Sequence, residues 1–286
     1  MQKDTETIFF KHPWRIFFFE VFLFSLTLVL GISAAYRINQ FFGYQKIEVV
    51  PVSPWRFILT FFLTTIILFL LIRFLTLKKK GATLFKLLFV FAIFSGGVLF
   101  FDIWLSTQLA VILMGFLIFW WLMRPSVLIQ DLCMILGMAG VGVALGLQLT
   151  PSVVMIILIV LSIYDWIAVY KTKHMVKIAK EMLKAGAISA LIIPQTISGF
   201  KNSLTDIRPG GNFLILGGGD VVFPLLFSVS LISYGILKSS IVAFFSLIGL
   251  FFNFYVFLKQ KDRKPMPALP LIAFFSIVGY LITLLI

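Results

Sequence analysis

A bundle of nine membrane-spanning helices is the fold this sequence predicts, on three observations. Hydrophobic residues fill 61% of the 286 positions and charged residues only 12%, with a mean hydropathy of +1.10. That leaves too few polar side chains to cover a water-soluble globule of this size. Continuously apolar stretches of about 20 residues recur, each long enough to cross a hydrocarbon core of about 30 Å as a helix. They lack the period-two alternation and short segments of a transmembrane barrel. The expected class is therefore all-α and polytopic.

The spans fall at roughly 16–36, 57–77, 84–101, 104–123, 127–148, 152–170, 212–236, 239–258 and 268–286. Residues 1–15 are polar and basic, and no A-x-A cleavage site follows the first apolar run, so it is expected to be a retained span rather than a removed signal. In the fifth span Gly142 and Gly146 form a G-x-x-x-G pair suited to close helix packing. The longest break in hydropathy separates a six-span half (1–170), a cytoplasmic loop (171–211) and a three-span half (212–286). Within that loop Met175, Val176, Ala179, Met182 and Leu183 recur every three or four positions, with Lys173, Lys177, Lys180 and Lys184 on other faces. That pattern predicts a basic amphipathic helix on the inner membrane surface. Residues 185–193 are apolar but too short to cross, and Pro194, Gly199, Pro209, Gly210 and Gly211 then break the chain. No repeat relates the two halves, which argues against a duplicated transporter.

The net charge of +13 reads as topology. Of the 24 Lys and Arg, only Arg37, Lys46, Arg56 and Lys238 fall on the side opposite the N-terminus, leaving twenty on the other. Cytoplasmic loops hold the Lys/Arg excess, so the N-terminus is placed inside and, after nine crossings, the C-terminus outside. Attraction to anionic lipid headgroups follows, and nucleic acid is not needed as a partner. Cys133, the single cysteine, excludes a disulfide framework, and His12 and His174 leave little material for zinc. No metal or cofactor is expected.

An ionised carboxylate near the centre of a spanning helix costs a few kcal/mol, so acids inside spans mark sites of chemistry. Glu20, Asp102 and Asp131 lie close to span ends and are expected to reach headgroups or water. Asp165 and Asp220 are deeper, about 8 and 12 Å from the inner ends of the sixth and seventh spans at 1.5 Å per residue. Two consecutive antiparallel spans thus present one carboxyl group each at nearly one level. Around Asp220 the backbone is unusual for a span. Gly217, Gly218 and Gly219 precede it, and Pro224 cannot donate the helical bond to its carbonyl. Irregular backbone at that depth survives where protein buries it or a wet cavity adjoins it. Three prolines in Pro265-Met266-Pro267-Ala268-Leu269-Pro270 open the ninth span, and they are expected to hold that segment extended with carbonyls lacking helical partners.

Tyr164-Asp165 in the sixth span, G-x-G-D as Gly217-Gly218-Gly219-Asp220 in the seventh, and Pro267-Ala268-Leu269 before the ninth together resemble the presenilin and signal peptide peptidase family of intramembrane aspartyl proteases. The likeness is sharpest from residue 152 onward, while residues 1–150 match in hydropathy alone. It implies that Asp165 and Asp220 are the catalytic pair, that Tyr164 and the three glycines support them, and that Pro267, Ala268 and Leu269 shape the site and help hold substrate. The inferred orientation has the presenilin sense. The short N-terminal region and inner loop suit a compact prokaryotic homologue in the cell membrane, with accessory subunits not evident. Its substrates would be transmembrane helices whose N-terminus lies outside.

Two carboxyl groups a few ångström apart in a poorly solvated site are expected to share one proton and titrate as a unit. The ionised member then activates a water and the protonated member donates to the scissile carbonyl, in an order the sequence leaves open. Other proteolytic chemistries lack their residues: there is no H-E-x-x-H, and both histidines lie outside the spans. Two alternatives stand beside this reading. A proton- or cation-coupled transporter also uses paired intramembrane acids, and prepilin peptidases also carry G-x-G-D.

Overall fold

The computed structural model describes residues 13–45, 59–60, 63, 67, 81–171, 186, 188–207, 213–260 and 265–286. Nearly all of the expected second span, and the whole amphipathic helix expected around Met175 to Leu183, lie outside the described residues. Among the described residues eight α-helices have defined bounds: α1 (Pro13–Gln45), α2 (Gly81–Asp102), α3 (Thr107–Met123), α4 (Val127–Gly146), α5 (Pro151–Trp166), α6 (Gly218–Ser230), α7 (Ile236–Lys259) and α8 (Leu269–Thr283). Among the described residues, four helical stretches are long and apolar enough to cross a membrane: Pro13–Phe41, Val127–Gly146, Pro151–Lys171 and Ile236–Lys259. Thr107–Met123, Gly218–Tyr234 and Leu269–Thr283 are apolar but shorter.

Buried α4 forms the centre of the bundle, packed by α1, α2 and α6. Lipid tails are as apolar as side chains, so helices associate here through close van der Waals contact, which small residues permit. Gly137 and Gly140 of α4 meet the backbone of α2 at Ile93 and Gly96. On the α6 side, a Cβ at Gly142 would lie 2.6 Å from Leu225 Cδ2, and one at Gly146 would lie 2.6 Å from Val229 Cγ1. The G-x-x-x-G pair therefore seats α6 on α4. Similar contacts join α7 to α8, where a Cβ at Gly249 would lie 2.7 Å from Ile272 Cα. One apolar core runs from Ile16 on α1 to Ile272 on α8, so elements before and after the loop share it.

The chain is not wholly helical. Strand β1 (Ala190–Pro194) pairs antiparallel with β2 (Phe213–Gly217), Ala190 opposite Gly217 and Pro194 opposite Phe213. The expected helix over 212–236 thus begins only at Gly218. A short apolar run has no period that separates a buried strand from a helix segment, and here each run finds its backbone partners in the other. The loop after β1 is tied to the entrance of α4, where Val127 N–H donates to the Asn202 carbonyl at 3.1 Å and Leu204 N–H to the Pro125 carbonyl at 2.9 Å.

The expectation for the peripheral acids holds for one of the three. Asp102 is exposed and accepts from Thr107 Oγ1 at 2.6 Å. Glu20 and Asp131 are instead buried, at 2% and 1% exposure. Nearness to a span end does not bring water when neighbouring helices cover the end. Glu20 shares its face of α1 with buried Ile16 and Phe24, and Asp131 is engaged by the β1 backbone.

Candidate active site

The strand register determines how the G-x-G-D segment is held. Gly218 N–H donates to the Ser189 carbonyl at 3.0 Å. Antiparallel pairing alternates, so Leu191 with Leu216 and Ile193 with Leu214 are the bonded pairs, while Ala190, Ile192 and Pro194 and their partners Gly217, Ile215 and Phe213 turn their backbone groups outward. Proline at an outward position sacrifices no ladder bond. Gly217 closes β2, α6 starts at Gly218, and Asp220 occupies the first turn of α6. An acid is favoured there by the helix dipole. The outward N–H of Gly217 is turned on the Asp220 carboxyl group. A Cβ at Gly217 would lie 2.9 Å from Asp220 Oδ2, and one at Gly218 would lie 3.1 Å from Met134 Cε and 3.2 Å from the Ser189 carbonyl. Gly219 is exposed, and its Cβ would meet nothing nearer than Phe223 Cε2 at 3.5 Å.

Asp165 comes from the last turn of α5, just before the chain widens into a π-helical turn over Ile167–Lys171. Such turns recur at functional sites because they re-aim one side chain without ending the helix. Asp165 is 8% exposed, and its Oδ2 has no hydrogen-bond partner among the described residues. It lies near enough to Asp220 for the charge of one to act on the other.

The third contributor is the start of α8. Pro267, Ala268 and Leu269 are buried, and Leu269 belongs to one buried apolar cluster with Leu158 of α5 and Leu226 and Phe227 of α6. The first N–H groups of a helix have no internal acceptor. That of Leu269 is turned on the carboxyl groups of both Asp165 and Asp220. It was the carbonyls of this segment that were expected to be free, whereas the Ala268 carbonyl accepts from Ile272 N–H at 3.3 Å and a free amide serves the acids.

The structure thus gathers Asp165, Asp220, Gly217 and Leu269 at one place. Pro267, Ala268 and Gly218 lie in the surrounding packing, and Gly219 lies on the open side. Tyr164 is 54% exposed, on a different face of α5 from buried Asp165. One neighbour was missed: Glu20 of α1, whose buried Oε2 has no partner among the described residues and whose carboxyl group lies near enough to Asp220 to feel its charge. Its signal was present in the spacing Ile16, Glu20, Phe24, which puts an acid in the apolar stripe of the first span.

The class defined by this fold and this site is a polytopic membrane protein with paired carboxyl groups at a buried centre. The family model described as signal-peptide peptidase, presenilin aspartyl protease matches residues 19–286, and the chain belongs to that family of intramembrane aspartyl proteases. Two solved structures are similar in fold, both of a presenilin family intramembrane aspartate protease. The one in space group C222 has 19% identity and a TM-score of 0.61, covering 94% of this chain and 97% of that one. The one in space group P2 has 22% identity and a TM-score of 0.53, covering 93% and 96%. No curated protein matches the sequence. Membership of this family leaves the transporter and prepilin-peptidase alternatives without support.

Proposed function

We propose that Asp165 and Asp220 are the catalytic pair of this protease, and that they hydrolyse peptide bonds within transmembrane helices of other proteins. One observation carries the reading: buried Asp165 and half-buried Asp220, from separate helices, both face the same backbone amide, that of Leu269. A shared donor of this kind holds both carboxyl groups toward one point. With one proton between them, the ionised acid takes a proton from a water, and the protonated acid donates to the scissile carbonyl as the tetrahedral diol forms. Gly217 keeps the space beside Asp220 free, and Pro267 and Ala268 aim the Leu269 amide.

A substrate helix must unwind before its carbonyls can be attacked, and an extended segment can be held by strand addition. The outer edge of β2 is suited to this, because its last outward group, Gly217 N–H, stands at Asp220. A strand laid along Phe213, Ile215 and Gly217 would run beside the acid.

The orientation we favour has the N-terminus in the cytoplasm, from the uneven Lys and Arg distribution. Two contacts agree with the grouping of these cations at opposite ends of the bundle. Arg37, at the end assigned outside, stacks over Trp104 at 4.7 Å in the α2–α3 turn, and Lys86, at the end assigned inside, sits over Trp121 at 5.6 Å. Substrates would then present their N-termini outside the membrane of a prokaryotic cell. The test is reconstitution of the purified chain in lipid with a single-span peptide. Cleavage should stop with Asp165→Ala or Asp220→Ala and with a transition-state inhibitor of aspartyl proteases, and should persist in a metal chelator. Cleavage by either Ala variant at the wild-type rate sinks the assignment.

A further inference from the structure

The β1–β2 ribbon has two outer edges, and α4 closes one of them. On the outer edge of β1, Ile192 N–H donates to Asp131 Oδ1 at 2.8 Å. Just before the strand, Gln130 Nε2 donates to the Ile188 carbonyl at 2.6 Å. At its far end Pro194 has no N–H to offer. Gln130 and Asp131 are 0% and 1% exposed, so both bonds are shielded from solvent. An exposed strand edge attracts another strand because its N–H and C=O groups are unpaired, and a covered edge does not. A strand added beyond β1 would also lie about 10 Å from β2, two strand spacings away and on the wrong side of the ribbon from Asp220.

We infer that Gln130 and Asp131 are positioning residues for proteolysis: by sealing the outer edge of β1 against α4, they leave β2 as the single edge that takes an extended substrate and hold that edge in register with the acid pair. The inference rests on the reading of Asp165 and Asp220 as the catalytic pair and of β2 as the accepting edge. Neither positioning residue touches the reacting atoms. Their effect is on where the substrate strand lies, so it belongs in substrate affinity and in the position of the cut. Loss of the Asp131 acceptor leaves the buried Ile192 N–H unpaired where no water replaces it, and β1 loosens.

The full chain in lipid vesicles, with a single-span peptide substrate, provides the test through KM, kcat and the masses of the products. Asp131→Leu should raise KM roughly tenfold, the factor expected for one lost buried hydrogen bond, and spread the cut over neighbouring bonds. Asp131→Asn keeps an oxygen acceptor for Ile192 and should restore KM to within about threefold, together with a single cut position. An Asp131→Leu enzyme with a lower kcat, but unchanged KM and cut position, overturns the inference, since that is what a merely structural residue would do. Hydrogen exchange on the wild-type chain decides the same point even if the Leu variant does not fold. A peptidic transition-state inhibitor should slow exchange at Phe213 and Ile215 and leave Ala190 and Ile192 unchanged, and protection gained at Ala190 and Ile192 instead overturns the edge assignment. Failure of the underlying reading has a different signature, namely a wild-type chain that does not cleave or an Asp220→Ala chain that does.

Discussion

Gly217 and Asp220 leave no room for a side chain between them. A Cβ at Gly217 would lie 2.9 Å from Asp220 Oδ2, while the Gly217 N–H is turned on the same carboxyl group. The residue that ends the strand therefore both clears and orients the acid that follows it.

Gly217→Ala should lower kcat/KM by roughly 100-fold, because a methyl group displaces the carboxyl group by a fraction of an ångström to an ångström. Gly219→Ala is the contrasting variant. Its Cβ makes only an ordinary contact with Phe223, so thermal unfolding should show a change within about 1 kcal/mol. A Gly219→Ala enzyme that is stable but slow would show that substrate uses the open space beside Asp220.

The acids act as one unit if they share a proton. Asp165→Ala and Asp220→Ala should each cost about as much activity as the double variant, rather than half of it on a logarithmic scale. Rates of peptide cleavage in vesicles measure this, and additive losses would mean two independent roles.

The same sharing dictates the pH profile. Activity requires one proton on the pair, so kcat/KM should fall on the acid side as both carboxyl groups take protons and on the alkaline side as both lose them. A rate against pH that is flat across both limbs would count against the mechanism.

Leu269 links packing to chemistry. Its side chain belongs to the buried cluster that holds Leu158, Leu226 and Phe227, and its amide faces both acids. Leu269→Ala should cost about 2–5 kcal/mol in unfolding free energy and more in activity than the remaining folded fraction explains. Leu269→Met, which conserves volume, should stay within about 1.5 kcal/mol of wild type and retain most of its activity. Active-site titration with an inhibitor separates loss of fold from loss of geometry.

Much of this was legible in the residues. The multi-span architecture, the glycine pair that seats α6 on α4, and the two deep acids of the sixth and seventh spans follow from composition and spacing, because the cost of placing polar groups in hydrocarbon is paid locally, residue by residue. Three features were decided only by the tertiary structure. Residues 213–217 became a strand because residues 190–194 lay alongside to satisfy their backbone, and no window of sequence contains that partner. Glu20 and Asp131 were buried because neighbouring elements covered them, although each lies near a span end. The amide of Leu269 reached both acids because α5, α6 and α8 converge, and convergence is a property of packing among segments far apart in the chain.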